Sequence, residues 1–404
     1  MLSLEQALEQ VLAEMKSLPA EEVLLTESVG RCLAEDVVAG SSLPLFDNSA
    51  MDGYAVRASD LVKATAASPV RLTQVGEVPA GQVYPTVVRP GECVRIFTGS
   101  AIPKGADTVV MQEDVQVDGK HPQARIEFCE PAKPWENLRL VGEDVKRGDR
   151  LLSSGTRLSA ASLSILAATG VERVRVSHKP LVSLLASGSE LRTFGDALSP
   201  GCIHESNRAT LFPMIQSAGG VVGHSALIAD DEAALTDFFK TAFTQSHVLI
   251  STGGVSVGDY DLLQQCFQRM GGTVKVWKIA IKPGKPFVFG EYGGRYWLGL
   301  PGNPVSAFVT FLLLARPFLL RMQGCAETRF TEVLGKALSP VHNRGDRRHF
   351  LRSRLNLDGT VEILPKQGSH HLSTLAKTNA LLDLRPGASV EVGDLVRVLL
   401  IPDH

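Results

Sequence analysis

The sequence predicts an α/β protein of several domains, arranged around a central, doubly wound and mostly parallel sheet. With 404 residues the chain exceeds one ordinary core, because a domain averages roughly 150 residues. Residues 178–326 alternate short apolar runs with helical stretches, which is typical of a parallel sheet with helices on both faces. The apolar runs are 181–186, 247–251, 286–289 and 296–299, and the helical stretches include 231–243 and 261–269.

The elements that precede this region predict an inserted β domain. Residues 3–18 have the spacing of an amphipathic helix, and Ser3 and Gln6 would form its capping box. Residues 44–138 change to short β-branched runs between proline and glycine turns, which indicates a small β domain. Residues 158–166 are again helical in pattern. We therefore predict that this β domain interrupts a mixed helical domain.

After the central region, residues 327–404 return to short strands and turns and predict a second small β domain. The most apolar stretch, 305–320, is interrupted by Arg316 and Pro317. It is too short and too broken to span a bilayer, so we predict a buried helix. The predicted domains are 1–43 with 139–177, 44–138, 178–326 and 327–404.

Composition and charge narrow the possible functions. The formal net charge of -2 leaves no general basic field that would attract nucleic acid or an anionic membrane. The first residues carry Glu5 and Glu9 without a basic start, so no secretory signal is expected. The six cysteines include no C-x-x-C pair and are expected to be reduced thiols of a cytoplasmic protein. The histidines show no H-x-x-x-H spacing, so a zinc site built by the protein is not expected.

The loops that follow three of the predicted strands are rich in glycine, proline and hydroxyl groups. They occupy 187–190, 251–261 and 301–304. Ligands of such sheets bind at the carboxyl ends of the strands, where glycines let backbone N–H groups approach an anion. One glycine-rich turn is usually only a tight turn, whereas three at strand ends favour an oxyanion site. The candidate binding residues are Ser251, Gly253, Gly254, Ser256, Gly258, Asp259, Pro301, Gly302, Asn303 and Pro304.

Three lysines near these loops suit the same ligand. Lys278, Lys282 and Lys285 supply positive charge to this end of the sheet. The prolines of the motif KPGKP, at 282–286, stiffen the chain and lower the entropic cost of presenting a lysine. The alternative interpretation is a pair of lysines that only faces solvent.

Carboxylates accompany the lysines and predict a magnesium site. Mg²⁺ takes oxygen ligands and neutralises charge that develops during phosphoryl transfer. The candidate ligands are Glu190, Asp230, Asp259 and Asp261. Asp230 and its neighbour Asp231 are equally compatible with a helix N-cap, and both interpretations stay open at this point.

Long motifs along the whole chain carry a resemblance to a known family. They are FDNSAMDGYAV at 46–56, RIFTGSAIPKGADTVVMQE at 95–113, GED at 142–144, STGGVSVGDYD at 251–261, IKPGKPF at 281–287, GLPGNPVSA at 299–307 and GSHHLSTLAKTNAL at 368–381. With these motifs in this order, the chain resembles the MoeA family of molybdopterin molybdenumtransferases and is similar to the C-terminal domain of gephyrin. The resemblance implies a central molybdopterin-binding fold and a β-barrel-like C-terminal domain.

The resemblance also implies a reaction. Family members insert molybdenum from molybdate into adenylylated molybdopterin and release AMP, with Mg²⁺ as cofactor. Both substrates carry oxyanions, which suits lysines and backbone donors. The dithiolene sulfurs of the substrate ligate the metal, so no cysteine ligand is needed from the protein. The positions that match the family's catalytic residues are Asp52, Thr98, Asp144, Glu190, Asp230, Asp261, Lys278 and Lys282, and its proline loop matches Pro301 and Pro304. Of these, Glu190, Asp230 and Asp261 would be the metal ligands.

The partners implied by the resemblance are proteins. Family members are homodimers in which the β domain of one subunit faces the central domain of the other, so Asp52 and Thr98 would act across the interface. The molybdopterin adenylyltransferase that supplies the substrate and the molybdoenzymes that take the product would be transient partners. The segment HESNR at 204–208 departs from the more usual D-x-N-R pattern, which puts details of ligand contact in doubt.

Two other functions compete with the transferase. A molybdopterin adenylyltransferase shares the central-domain fold, but it would not need residues 1–177 or 331–404. A non-catalytic molybdopterin-binding scaffold is the second alternative, because gephyrin also anchors receptors. The sequence resembles no fused partner domain and no long linker, which favours the enzyme.

Overall fold

The computed structural model describes residues 1–119, 124–254 and 262–402, except for the side chain of Trp277. The chain forms two compact units. Unit 1 comprises Met1–Glu35, Ser154–Ser159 and the chain from Val174 onward, and unit 2 comprises Asp36–Ser153 and Ala160–Arg173.

The helices largely follow the sequence prediction. In chain order they are α1 (Leu4–Ala13), α2 (Ala160–Ala168), α3 (Asn207–Ser217), α4 (Glu232–Gln245), α5 (Leu262–Arg269), α6 (Pro304–Thr310), α7 (Arg316–Met322) and α8 (Leu372–Leu375). Short 3-10 helices lie at Leu25–Glu27, Ala58–Asp60 and Gln112–Asp114. The capping box of α1 is confirmed, since the Ser3 hydroxyl accepts from the Gln6 N–H and the Gln6 side chain accepts from the Ser3 N–H.

The apolar stretch near residue 310 is the buried helix that the sequence predicts. A π-helical segment, Phe311–Ala315, joins α6 to α7. The whole run Pro304–Met322 is long and apolar enough to cross a membrane, but 89% of its most apolar window is buried inside the protein. This burial matches the core helix of a folded domain.

The strands fall into three groups along the chain. The first group is β1 (Ala20–Leu24), β2 (Val37–Val38), β3 (Asn48–Ser49), β4 (Gly53–Val56), β5 (Val70–Val78), β6 (Glu92–Ile96), β7 (Thr108–Met111), β8 (Val115–Asp118), β9 (Arg125–Phe128), β10 (Leu138–Arg139), β11 (Arg150–Leu152) and β12 (Arg173–Ser177). The second group is β13 (Leu181–Ser187), β14 (Leu191–Arg192), β15 (Ile203–His204), β16 (Val221–Ile228), β17 (Val248–Thr252), β18 (Thr273–Lys278), β19 (Ile281–Lys282), β20 (Pro286–Tyr292) and β21 (Arg295–Leu300). The third group is β22 (Glu332–Ala337), β23 (Val341–His342), β24 (Arg348–Leu355), β25 (Thr360–Ile363), β26 (Ala380–Leu384), β27 (Ser389–Val390) and β28 (Leu395–Leu400).

The central sheet of unit 1 is mostly parallel, as predicted. Its strand order is β16-β13-β17-β21-β20-β18, and β16, β13, β17 and β21 run parallel to one another. The predicted strands 286–289 and 296–299 differ from the expectation, because β20 and β21 are antiparallel. Their connection at Gly293 and Gly294 is a tight turn, and a parallel crossover needs a dozen or more residues. The sequence prediction also missed β16 and β18.

The two faces of this sheet are covered by different helices, which confirms the doubly wound fold. Adjacent residues of each strand point to opposite faces. On one face Leu184 and Ile250 pack with Leu211 of α3 and with α6 and α7. On the other face Leu185 packs with α4, α5 and Trp297.

The β domains are confirmed as well. In the C-terminal part of unit 1, β24, β25, β22, β28 and β26 are joined in order, and a further pairing of β24 with β26 closes a five-stranded barrel. Unit 2 holds a six-stranded sheet with the order β7-β4-β6-β5-β9-β8. Its core includes Tyr54, Leu72, Ile126 and Phe128.

The prediction that all six cysteines are reduced thiols is wrong for two of them. Cys32 and Cys325 form a disulfide within unit 1, with their Cα atoms 5.5 Å apart. Both are buried beside Leu320. The pair is separated by 293 residues, so only the tertiary fold brings the two sulfurs together and local spacing carries no signal. Cys93, Cys129, Cys202 and Cys266 are free thiols.

Candidate functional site

A cleft of about 640 Å³ lies at the carboxyl ends of the parallel strands in unit 1. Strands β13, β17 and β21 are neighbours in register, so that Ala186 lies beside Thr252 and Thr252 beside Leu300. Their following loops therefore meet at one edge of the sheet, as the strand-end rule predicts. The predicted residues that line the cleft are Glu190, Gly253, Gly254, Pro301, Gly302, Asn303 and Pro304.

Two of the cleft loops approach each other backbone to backbone. Gly253 has a φ of +82°, and a Cβ there would lie 2.2 Å from the Ser187 carbonyl oxygen. A Cβ on Gly302 would lie 3.4 Å from the Gly253 Cα. Only glycine allows the first approach, so this part of the cleft is made of main chain. The Asn207 side-chain amide donates to the Gly302 carbonyl over 2.8 Å and fixes the second loop to the start of α3.

The predicted carboxylate Asp230 contacts the loop that follows β13, whereas its neighbour Asp231 has a different role. Asp230 accepts from the Ser187 hydroxyl over 3.1 Å and from the Ser189 N–H over 3.3 Å. Asp231 caps α4, where its side chain accepts from the Ala234 N–H over 2.7 Å. Asp231 is therefore the helix N-cap of this acidic pair, and the role of Asp230 as a metal ligand stays a prediction.

The structure brings together no three His, Cys, Asp or Glu residues able to hold a metal ion within the described ranges. Glu190 lines the cleft and its carboxylate lies over Gly188, at 2.7 Å from the Cβ position of that glycine. The third predicted ligand, Asp261, lies outside the described residues, as do Ser256, Gly258 and Asp259.

Ser251 is a correction to the predicted binding residues. Its side chain has no exposed surface and accepts a hydrogen bond from the Trp297 indole over 2.8 Å. Alternate residues of a strand face opposite sides of the sheet, and Ser251 faces the core that contains Trp297. It therefore supports the strand beneath the cleft and does not line it.

The lysine loop, residues 282–286, borders the cleft through Pro286. Lys282 is exposed, while Lys278 and Lys285 are half-buried, and none of the three lines the cleft itself. Gly284 packs against the buried hydroxyl of Thr310, since a Cβ there would lie 2.4 Å from its Oγ1.

Positive charge accumulates where the lysine loop pairs with the C-terminal barrel. Lys282 of β19 is the register partner of His349 in β24. Burial, followed by the charges of Lys282, Arg347 and Arg352, lowers the pKa of His349 to about 4. Three cations therefore lie close enough to His349 to add to the effect of its burial.

The cleft contains residues that the sequence prediction did not select. Glu205 is almost completely buried and accepts from the Arg208 N–H and Nε over 2.9 and 3.0 Å. It belongs to the segment HESNR at 204–208, and the departure of this segment from the family pattern was the only sequence feature that pointed to Glu205. His370 and Leu372 of the C-terminal domain also line the cleft. Their sequence motif was quoted without a role, because only the fold places it against α6.

Unit 2 presents a different arrangement around Asp52. One Asp52 carboxylate oxygen accepts from the Thr98 N–H over 2.8 Å and from its hydroxyl over 2.7 Å. These bonds, the backbone one first, hold the pKa of Asp52 below its ordinary value. Asp52 and Thr98 are thus bonded to each other at the surface of this unit, and their catalytic role stays a prediction.

Asp144 of unit 2 lines a separate open pocket of about 570 Å³. Its backbone N–H donates to the Leu43 carbonyl over 3.0 Å, which fixes the turn. The lining residues of this pocket are Leu43, Pro44, Arg139, Glu143 and Asp144.

The chain is similar to known proteins along its whole length. Residues 2–170 match the model of the MoeA N-terminal region (domains I and II), residues 190–321 that of a probable molybdopterin-binding domain, and residues 335–401 that of the MoeA C-terminal region (domain IV). A molybdopterin molybdenumtransferase of Haemophilus influenzae is 37% identical over 98% of both chains. One from Nostoc is 36% identical over 95% of this chain and 89% of the relative.

Solved structures agree with this similarity. The crystal structure of the molybdopterin biosynthesis MoeA protein from Pyrococcus horikoshii OT3 aligns with a TM-score of 0.86 at 30% identity. The alignment covers 99% of this chain and 100% of the other. The fold seen here is therefore the fold of that protein.

Proposed function

Because this chain belongs to the MoeA family of molybdopterin molybdenumtransferases, we propose that it inserts molybdenum from molybdate into adenylylated molybdopterin and releases AMP. The observation that carries the proposal is the single cleft in which three strand-end loops meet. Its main-chain floor at Gly253 and Gly302 suits close approach by phosphate oxygens.

In this proposal the lysines bind the negatively charged groups of the substrates. Lys282, Lys285 and Lys278 attract molybdate and the phosphates, which concentrates positive potential where negative charge develops. The charges of Lys282, Arg347 and Arg352 all help to lower the pKa of His349, which supports this role because it shows cations close to the lysine loop. A bound oxyanion would add negative charge beside them.

In the same proposal the carboxylates are the ligands of a magnesium ion. Oxygen atoms of Glu190 and Asp230 are ligands of the kind that Mg²⁺ takes, and both residues flank the loop after β13. Asp261 would complete the group. A Mg²⁺ ion held there would neutralise charge on the phosphoanhydride that links AMP to molybdopterin. Hydrogen bonds from Ser187 and Ser189 fix the Asp230 carboxylate.

We further propose that the active protein is a homodimer and that the surface of unit 2 completes the site of a second copy. Apolar side chains in unit 2 are unusually exposed, with Leu45 at 61%, Phe46 at 49% and Val141 at 52% of their full area. They lie close together, because the Val141 N–H donates to Asp47 over 2.8 Å. Such a patch favours a protein interface. Asp52, Thr98 and Asp144 would then face the cleft of the partner, in the cytoplasm, where the adenylyltransferase and the molybdoenzymes would meet the dimer.

The test is an AMP-release assay with the purified protein. We expect AMP and active cofactor when adenylylated molybdopterin, Mg²⁺ and molybdate are all present, and loss of active cofactor when molybdate is left out. ATP with unadenylylated molybdopterin should yield no pyrophosphate, which separates the transferase from an adenylyltransferase. A folded protein that produces neither AMP nor active cofactor would refute the proposal.

A further inference from the structure

The C-terminal domain supplies one wall of the cleft. His370 and Leu372 line the cleft together with Pro304 and Ser306 of α6. They follow the segment 366–369, which leaves the barrel and reaches the central domain. A domain that is separate in the sequence thus contributes side chains to the substrate site.

A buried arginine holds this segment in place. Arg352 of β24 is 1% exposed. Its Nη2 donates to the Lys366 carbonyl over 2.6 Å, and Nη1 and Nη2 both donate to the Gly368 carbonyl over 3.2 Å. The Gln367 side chain bonds the Arg352 backbone on both sides, at 3.0 Å to its N–H and 2.8 Å to its carbonyl. Five hydrogen bonds therefore fix the segment to the barrel.

The far end of the segment is tied to the central domain. The Val305 N–H of α6 donates to the Ser369 carbonyl over 3.2 Å. The His370 ring lies against the His371 ring with 4.0 Å between their centroids. The hydrogen bond at Ser369 and the contact with His371 therefore fix the position of His370, whose side chain remains exposed to the cleft.

The same cleft exposes apolar side chains. Leu372 is 41% exposed and Ile203 is 55% exposed, and both line it. Leu191 also lines it and is half-buried. An imidazole that lines the same cleft as leucine and isoleucine suits a flat ring, because stacking and apolar burial need no fixed hydrogen-bond pattern. A phosphate would gain nothing from these three aliphatic groups.

We propose that His370 and Leu372 bind the face of a planar, nitrogen-rich heteroaromatic ring of the substrate and so determine specificity from the C-terminal domain. The ring is that of the pterin or that of the adenine, which share this chemistry. The inference rests on the proposed function for the identity of the substrate. Arg352 is a positioning residue, because it acts on the ring only through residues 366–370.

The experiment measures ring binding directly. Calorimetric titrations with AMP and, separately, with pterin-6-carboxylate should show that the wild type binds at least one of them, and the probe that binds identifies the ring. His370→Ala and Leu372→Ala should each weaken that binding about tenfold, which corresponds to about 1.4 kcal/mol. His370→Phe keeps an aromatic face and should bind within about threefold of the wild type, since stacking tolerates a different ring.

The matched control is Leu357→Ala, because Leu357 lies in the turn between β24 and β25 and is the most exposed apolar residue of the same domain. It should leave both affinities unchanged. The proposal is overturned if the wild type binds neither probe, if His370→Ala and Leu372→Ala bind as the wild type does, or if His370→Phe is as weak as His370→Ala.

The KM for adenylylated molybdopterin separates this proposal from the proposed function. We expect KM to rise in the alanine variants while kcat changes little, because ring binding is shared by the ground state and the transition state. If both variants release AMP as the wild type does and their KM is unchanged, the proposed ring-binding role of His370 and Leu372 is wrong, while the proposed transferase function stands. Ring binding that depends on His370 without any AMP release overturns the transferase instead.

Discussion

The cleft of unit 1 and the Asp52 surface of unit 2 both hold predicted catalytic residues, yet they differ in how they are built. The cleft is concave, has a main-chain floor at Gly253 and Gly302, and carries residues from two domains. The Asp52 carboxylate faces solvent, accepts two hydrogen bonds from Thr98 and is influenced by the charge of Arg95. Electrostatic catalysis needs a site that excludes water, and the cleft provides much of one by itself.

The same pair of hydrogen bonds occurs elsewhere in the protein and sharpens this contrast. Asp358 accepts from the Thr360 N–H over 3.0 Å and from its hydroxyl over 2.6 Å, and its pKa is lowered for the same kind of reason. Asp358 and Thr360 merely stabilise a turn between β24 and β25. Asp52 and Thr98 are 46 residues apart and join two loops, so their pairing serves something other than local turn formation.

The largest effect is expected in the lysine loop. Lys282→Ala should lower kcat/KM about 10²- to 10³-fold, the loss typical of a removed charge-stabilising group. The measurement is the rate of AMP release. Lys240→Ala is the matched control, because Lys240 lies exposed on α4 and pairs with Asp237, and its rate should equal that of the wild type. If the kcat/KM of Lys282→Ala stays within threefold of the wild-type value, the lysine loop is not part of the active site.

The next effect concerns the cations around His349. The ordinary pKa of 6.5 is lowered to about 4 in the folded protein, so between these values the unfolded chain binds more protons. Stability therefore falls as the pH drops from 6.5 towards 4, by about 3 kcal/mol from this residue alone, and is unaffected above 6.5. Urea unfolding at several pH values should show this loss in the wild type but not in His349→Gln.

The exposed His178 supplies the control for that experiment. It is 45% exposed and lies 3.4 Å from Glu21, so His178→Gln should retain the wild-type loss of stability. Equal pH dependence in the wild type and His349→Gln would show that burial and the neighbouring cations do not lower the pKa of His349.

A smaller effect is expected at the surface of unit 2. Asp52→Asn should lower kcat about 10- to 10²-fold, as expected for a group that contributes one polar interaction or a proton transfer, and the melting temperature should stay within a degree or two because a surface substitution changes little. Asp358→Asn removes an equivalent carboxylate and should leave kcat unchanged. If the two variants lose the same activity, the comparison between the two aspartates fails.

The smallest expected effect is a gain of activity on mixing two impaired variants. Lys282→Ala and Asp52→Asn, dissociated and reassociated together, should recover roughly a quarter of wild-type activity, because mixed C₂ dimers contain one intact composite site. Lys282→Ala mixed with Asp230→Asn should not recover, since both residues belong to unit 1. Activity equal to the mean of the separate variants would place Asp52 in the site of its own subunit, or in none.

The sequence predicted the central sheet well because buried strands and capped helices leave local signals. The run at 181–186 and the capping residue Ser3 are examples, and both appear in the structure. The hairpin of β20 and β21 was misjudged as parallel, although the pair Gly293 and Gly294 is a turn signal that could have revealed it.

The parts that could not be predicted depend on distant contacts. Ser251 was chosen for its place in a glycine-rich segment, but the direction of its side chain follows from strand register and from Trp297, 46 residues away. His370 enters the cleft because Arg352 and Val305 hold its segment between two domains. Neither set of contacts can be recognised from the residues that neighbour Ser251 or His370 in the sequence.

The main-chain floor of the cleft has a consequence for anyone who would redesign this enzyme. Gly253 has no room for a side chain against Ser187, and the groups that it and Gly302 present to a ligand are the same in every sequence that keeps the fold. Substitution of Gly253 is therefore expected to disrupt the fold, whereas a Cβ on Gly302 would make only an ordinary van der Waals contact. New substrate preferences are best sought in the walls, where Ile203, His370 and Leu372 are exposed to the cleft and can be exchanged without rebuilding the backbone.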